Sequence, residues 1–289
     1  MGTFSQSWAL AKDSYSVLRR TPSLALFPIL SAIATIVVSI SFFVPVFVVT
    51  GGKSLEKIRP EIGYPLTFLF YFLTYFVVIF FNSAMAACAY ESFQGRETSL
   101  SYGLSVAGRR IGAILGWTAI AATVGVILKT ISERSGIIGT IVVGIVGFAW
   151  NVATYFVVPV IVIDQGSPVA AVKKSSSLLK RTWGERLVAS AGMNLAMMLL
   201  FFVGFAIVIG ALVIGSVTES LPLAIAVGGF GILYLLVVAT VAAALQGIFQ
   251  TALYLYAETG NVPSGFDPAM IQGAFATKEG TIGKLRNRF

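Results

Sequence analysis

Three pairs of basic residues are the side chains of this sequence whose type and spacing most clearly predict recognition of a ligand. Each pair closes a stretch with helical periodicity and stands just before a long uncharged run. Cations in that position, next to a membrane span, attract anionic lipid headgroups. We call these six residues the basic collar and predict that they bind lipid headgroups: Arg19, Arg20, Arg109, Arg110, Lys180 and Arg181.

A second set of candidate residues consists of side-chain amides inside the uncharged runs. All except Asn151, which lies near the centre of its span, fall toward the half of the membrane on the side of the basic collar. If they converge, they would line a small polar cavity for a headgroup or a neutral solute. The alternative is pairing between helices, where such a hydrogen bond contributes about 0.6 kcal/mol. The five amides are Asn82, Asn151, Asn194, Gln246 and Gln250.

Catalytic chemistry has little support in these residues. The chain has no histidine and one cysteine, Cys88, which excludes an intrachain disulfide, histidine bases and multi-cysteine metal sites. Glu91 and Glu97 are more typical of a solvated loop than of an acid/base couple, and no glycine-rich phosphate loop with lysine occurs. We therefore expect no enzyme activity and no cofactor.

The composition is that of an integral membrane protein. Hydrophobic residues make up 57% of the 289 residues and charged residues 11%, whereas about a quarter of a soluble domain is charged. A net charge of +8 would suggest nucleic acid in a soluble protein, but here the basic residues stand in short loops beside apolar runs. We expect no nucleic acid partner.

The uncharged runs predict an all-α, polytopic membrane protein with six transmembrane helices, because about 20 helical residues cross the hydrocarbon core. We expect one transmembrane domain over residues 1–257 and a cytoplasmic tail over residues 258–289, with a short helix opened by Asp267 and Pro268. The predicted spans cover about residues 22–50, 65–90, 111–128, 136–163, 187–217 and 222–257.

Three amphipathic segments on the collar side predict three interfacial helices. The clearest is Ser167–Trp183, where one face is assigned Val169, Val172, Ser176, Leu179 and Trp183, and the opposite face Lys173, Lys174, Lys180 and Arg181. Such a helix either lies flat at an anionic membrane surface or packs against its own bundle. The other two segments begin near Phe4 and Leu100; the latter is weaker because it contains Gly103 and Gly108.

Short matches among these segments indicate an internal repeat. Residues 14–21 read SYSVLRRT, residues 175–182 read SSSLLKRT and residues 101–110 read SYGLSVAGRR. We infer a three-fold repeat in which each surface helix is followed by a membrane hairpin. The alternative is that every hairpin entered from the cytoplasm collects basic residues at its start.

Small residues at four-residue spacing predict close helix packing within the membrane. They occur in the third span (Gly112, Gly116), the fourth (Gly136, Thr140, Gly144) and the fifth (Ala211, Gly215).

The segment WNVATYFVVPVIVIDQGSPVAAVKKSSSLLKRTWGE, residues 150–185, resembles prokaryotic six-helix membrane families without an assigned reaction. These are related in pattern to the membrane domain of glycerophosphoryl diester phosphodiesterase. In them a span ending in proline is followed by an Ala-x-x-x-Ser helix, and here Pro159, Ala171 and Ser175 match. The opening residues 7–30 and the tail motif ETGNVPSGFDPAMIQGAF also resemble such a family. The resemblance implies a fold, and no phosphodiesterase domain is present to carry that activity.

The sequence supports two hypotheses of function. The first is a non-enzymatic inner-membrane protein that binds anionic lipid, a membrane protein partner or a second copy of itself through the basic collar. The second is a transporter or permease for a lipid-like or neutral solute that passes the amide cluster. Asp164, at the end of the fourth span, is interpreted as a boundary charge that faces the nearby basic helix.

The distribution of basic residues predicts the orientation. Fifteen of the 20 Lys and Arg lie in the N-terminal segment, two alternate loops and the tail, which should therefore be cytoplasmic. A reporter fused after Phe289 is expected to be cytoplasmic, and a cysteine placed at Lys57 to react with an impermeant reagent added from outside. A periplasmic reporter would contradict the even number of spans.

Overall fold

The computed structural model describes residues 3–49, 60–183, 189–218, 220–268 and 271. These residues form helices and turns and no strand, so the predicted all-α fold is confirmed. A 3₁₀ turn at Pro22–Ala25 precedes α2. The helices are α1 (Thr3–Arg20), α2 (Leu26–Val49), α3 (Pro60–Phe93), α4 (Leu100–Arg109), α5 (Ile111–Arg134), α6 (Gly136–Ala153), α7 (Val157–Ile163), α8 (Pro168–Trp183), α9 (Ala189–Thr218) and α10 (Leu221–Thr259).

Among the described residues, six helical segments are long and apolar enough to cross a membrane, as predicted. No more than two charged residues occur in the most apolar window of each. The protein is therefore of the multi-pass membrane class. The segments are Pro22–Val49, Pro65–Phe93, Ile111–Arg134, Gly139–Ile163, Met197–Thr218 and Leu221–Thr259.

The third span continues beyond its predicted end at Leu128. Helix α5 runs to Arg134 because no proline or glycine occurs between Leu128 and Gly136, whose φ of 59° is left-handed. The charged last turns are tied to the neighbouring helix: Lys129 Nζ donates to the hydroxyl of Tyr71, in α3, at 3.1 Å. Lys129 can therefore lie inside the helix and still keep a polar partner.

The fourth span is broken, whereas the sequence predicted one continuous segment. Helix α6 ends at Ala153 and α7 begins at Val157. Pro159 accounts for the break, because it has no N–H and its ring crowds the carbonyl of Tyr155, four residues earlier. The Phe156 N–H donates to Ser175 Oγ, in α8, at 3.0 Å. A side chain of a surface helix thus accepts the hydrogen bond of an amide that the break leaves without a helical acceptor.

The chain divides into two compact units, one of residues 21–181 and one of residues 1–20 with 182–289. In the first unit α3 is central and contacts α2, α4, α5 and α7. In the second unit α1 packs against α9 and α10, which pair with each other as a hairpin.

The surface helices pair with hairpins in an order that the sequence did not predict. Helix α4 packs against α3, which precedes it, rather than mainly against α5, which follows it. Helix α8 contacts α5 and α7, which also precede it. Helix α1 contacts the last hairpin, α9 and α10. Each surface helix thus contacts the hairpin before it, with α1 meeting the last one, and the three-fold repeat itself stays a prediction.

A small residue lies at the buried face of each surface helix. Gly103 of α4 is so close to α3 that an added Cβ would lie 2.7 Å from the Ala84 carbonyl oxygen and 2.8 Å from Cys88 Sγ. Ser14 of α1 and Ser175 of α8 are fully buried. Small side chains here let the helix backbones approach closely.

The predicted small-residue stripes are only partly in contact. A Cβ at Gly116 would lie 2.9 Å from the ring of Pro168, and one at Gly215 would lie 2.8 Å from Ala224 Cβ. Within the described residues, a Cβ at Gly112, Gly136 or Gly144 would meet nothing within 4 Å. The packing prediction is therefore wrong at those three positions, because they face away from the neighbouring helices.

We expect Gly103→Ala to lower the free energy of unfolding by about 1–3 kcal/mol, because the added methyl group collides with the backbone of α3. Thermal unfolding in detergent, followed by circular dichroism, measures this. Gly108→Ala on the same helix is the matched control, since its Cβ would meet nothing within 4 Å and alanine favours the helix. Equal melting temperatures for the two variants would contradict the close approach of α4 and α3.

Candidate functional site

Five of the six residues of the basic collar are exposed, and Arg110 is half-buried. Arg19 and Arg20 end α1, Arg109 ends α4, and Lys180 with Arg181 lies near the end of α8. Because the first pair and the other two fall in different units, contact of all six with one lipid surface stays a prediction.

Arg110 differs from the other five because it is half-buried and its side chain bonds to the end of another helix. It lies between α4 and α5, and its Nε donates to the carbonyl oxygen of Ile161, near the end of α7, at 3.2 Å. This bond caps one of the carbonyls that a helix end leaves without a partner. Its Nη2 is buried and has no hydrogen-bond partner among the described residues. Of this pair, Arg109 is the better placed to meet a headgroup.

Helix α8 has its buried arc inside the protein, in agreement with packing against its own bundle. Ala171, Ser175, Leu178 and Leu179 are buried, whereas Val169, assigned to the apolar face from the sequence, is 57% exposed. The predicted face was therefore shifted by about one position around the helix. The exposed arc carries Val169 with three cations, Lys173, Lys180 and Arg181.

The other two surface helices show the same division. The outer arc of α1 presents Lys12, Tyr15 and Arg19, with Tyr15 53% exposed. The outer arc of α4 presents Tyr102 and Arg109. Every surface helix therefore carries an exposed apolar or aromatic side chain beside exposed basic residues. An arc of that kind suits the boundary between headgroups and acyl chains.

The loop before α4 is organised by a carboxylate. Glu91 accepts hydrogen bonds from Arg96 Nε and from the Tyr102 hydroxyl, the latter at 3.1 Å. Burial, and then the hydrogen bond to Glu91, raise the pKa of Tyr102. Glu91 is thus a structural anchor for the outer arc of α4.

Three contacts fasten α8 to the fourth span and its neighbour. Ser175 Oγ accepts the Phe156 N–H, Lys174 Nζ pairs with Asp164 at 2.6 Å, and the Pro168 ring lies over Gly116 of α5. The ion pair confirms the interpretation of Asp164 as a boundary charge facing the basic helix. Sequence reasoning missed the role of Ser175; the Ala-x-x-x-Ser spacing, known only through the resemblance, was the one signal for it.

The tail folds back onto α1 within their own unit. The Asp267 N–H donates to Asp13 Oδ2 at 3.1 Å, and the Ile271 N–H donates to the Asp267 carbonyl, as in a first helical turn. Gly265, with φ of 94°, is so close to Val17 that a Cβ would lie 2.9 Å from it. Burial raises the pKa of Asp13, and the Asp267 N–H opposes this shift. The sequence contains no local signal for the pairing of Asp13 with the tail.

The amides do not form one cluster within either unit's described contacts. Asn82 is half-buried, Asn151 and Gln246 are exposed, and none of these three side chains has a hydrogen-bond partner among the described residues. Gln250 is half-buried and has a partner. The side chain of Asn194 lies outside the described residues. Neither the shared cavity nor pairing between amides is established by this geometry.

In the part of the chain that the structure describes, no three His, Cys, Asp or Glu side chains lie close enough together to bind a metal ion. Cys88 is buried against α4, and its Sγ donates to the Ser99 carbonyl at 3.4 Å. The thiol therefore serves the packing of α3 and α4.

No curated protein and no solved structure matches this chain. No finding supports the resemblance to the phosphodiesterase membrane domain, which stays a prediction. One family model, described as "Family of unknown function (DUF6159)", matches residues 61–266. Since the match covers more than half of the chain, from the start of α3 to the tail segment on α1, this protein belongs to the DUF6159 family.

Proposed function

We propose that this protein is a non-enzymatic integral protein of the inner membrane that binds anionic lipid headgroups through the basic collar, with both termini cytoplasmic. The observation that carries the proposal is the outer arc of α8. There Lys173, Lys180 and Arg181 are exposed while the opposite arc is buried in the protein. Packing of the opposite arc thus holds these three cations at the surface of the protein.

The exposed side chains that lie beside these cations favour lipid over a protein partner as the ligand. Val169 is exposed among them on α8, and Tyr15 is exposed between Lys12 and Arg19 on α1. An aromatic or aliphatic side chain beside cations suits a membrane interface, where the ring or stem enters the acyl boundary and the charge stays among headgroups. Each juxtamembrane cation gains about 1 kcal/mol near an anionic leaflet.

Lys174 shows by contrast what a structural cation looks like in this protein. Its Nζ lies 2.6 Å from Asp164, and both side chains are about two-thirds or more buried. Lys180, six residues further along the same helix, is exposed. The two roles, fastening and recognition, are thus divided between the two sides of α8.

The double variant Lys180→Gln/Arg181→Gln is expected to bind anionic lipid roughly 25-fold more weakly, since each lost cation weakens binding by about fivefold. Native mass spectrometry of the protein extracted from membranes, with phosphatidylglycerol counted per protein, measures this. The matched control is Lys129→Gln/Arg134→Gln, which also removes two cations but at the C-terminal end of α5, away from the basic collar.

The melting temperature of the double variant should stay within a few degrees of the wild type, because both side chains are exposed. Wild-type phosphatidylglycerol occupancy in the double variant would overturn the lipid proposal. A membrane protein partner, or a second copy of the chain, would then be the better proposal for the same arc.

A transporter for a lipid-like or neutral solute is the second candidate. Asn151 favours it, because this amide is exposed, has no partner among the described residues and lies beside the break between α6 and α7. Broken helices near mid-membrane are common at transporter substrate sites.

Asn151→Leu tests this candidate. If Asn151 binds a solute, less small-molecule ligand should be released on denaturing the purified variant than on denaturing the wild type, as measured by mass spectrometry. Thr140→Leu, also exposed on α6, is the control. Identical released molecules from all three proteins would contradict the transporter.

A further inference from the structure

We propose that α8 is a latch, and that attraction of its outer arc to an anionic leaflet holds the break in the fourth span in the conformation described above. The inference rests on the proposed function, since it takes the exposed cations of α8 to meet lipid. It adds a consequence of that binding inside the membrane.

The first step is mechanical. The latch is fastened at three places along α8: Pro168 lies over Gly116, Lys174 pairs with Asp164, and Ser175 accepts the N–H of Phe156. The three fastenings fall on the first half of the helix. Displacement of α8 from the membrane surface would therefore pull on the end of α7 and on the break at the same time.

The second step concerns the amide of Phe156. In a continuous helix its N–H would donate to the Val152 carbonyl, but here Val152 accepts the N–H of Tyr155 at 3.1 Å. Both Ser175 and Phe156 are fully buried, so no water replaces the serine hydroxyl. Without Ser175 this amide would be buried without a hydrogen bond, which is strongly unfavourable in a membrane span.

The third step is that Pro159 disfavours repair of the break. Because proline has no N–H and crowds the carbonyl four residues earlier, a regular helix through residues 154–156 is unfavourable. Release of Ser175 therefore favours movement of the turn to a second arrangement. The fourth span thus has a latched arrangement and a released one, and α8 selects between them.

The outer arc supplies the dependence on lipid. Lys180 and Arg181 are exposed on the same helix as Ser175 but take no part in the three fastenings. Their attraction to an anionic leaflet favours the latched arrangement by about fivefold per cation. That attraction is absent at a zwitterionic surface.

Hydrogen exchange of the peptide that contains Phe156 tests the latch. The full-length protein is placed in nanodiscs of phosphatidylcholine alone, or with three parts in ten phosphatidylglycerol. For the wild type we expect exchange at least fivefold slower in the anionic discs. For Ser175→Ala we expect fast exchange that is equal in both discs, because the hydrogen bond is gone whatever the lipid.

Two further variants separate the latch from general effects. Ser177→Ala is the matched control, because this serine is exposed and donates only to the Lys174 carbonyl within its own helix; it should behave as the wild type. Lys180→Gln/Arg181→Gln should exchange in the anionic discs as fast as the wild type does in phosphatidylcholine. If Ser175→Ala does not fold, Lys174→Gln loosens a second fastening and should likewise speed exchange.

The outcomes distinguish the latch from the function on which it rests, because phosphatidylglycerol bound to the same samples is counted by native mass spectrometry. Lipid enrichment without any change in exchange would overturn the latch and leave the proposed function standing. Neither enrichment nor a change in exchange would overturn both. A lipid-dependent change that survives in Lys180→Gln/Arg181→Gln would overturn the assignment to α8.

Discussion

The need to pair every backbone amide inside an apolar environment is the constraint on which this structure depends. Pro159 breaks the fourth span, and the break leaves the Phe156 N–H without a helical acceptor. Ser175 provides that acceptor from a different helix. The position of α8 is therefore set by a hydrogen bond to the interior of a span as well as by packing, and the outward direction of its cations follows from this.

The same geometry explains why the surface helices need small residues and mixed arcs. A helix that packs closely at one side requires Gly103, Ser14 or Ser175 there, because a longer side chain would separate the backbones. The opposite side is then free to carry residues that no intramolecular contact requires. Packing of the buried arcs, together with contacts such as the Ser175 hydrogen bond, holds these helices in place.

The features that could be predicted from the sequence are those that a local pattern encodes. Uncharged runs predicted six spans, and the period of α8 predicted an amphipathic helix. A local sequence pattern does not show which neighbouring helix a residue will face. Val169 was therefore placed on the wrong arc, and Gly144 was assigned a contact that it does not make with the described residues. Pro159 was visible in the sequence, but its consequence depended on Ser175, which is distant in the chain and recognisable only once the fold is known. The hydrogen bond between Asp13 and Asp267 joins residues 254 positions apart, so no local pattern could predict it.

The contact of α1 with α9 and α10 has a consequence for biosynthesis. Helix α1 ends at Arg20, while its partner hairpin begins at Ala189. During translation α1 is made long before the hairpin that packs against it. Until then the apolar arc of α1 can be buried at the membrane surface, and the amphipathic pattern of α1 suits binding there. Assembly of this unit must therefore follow synthesis of α9 and α10.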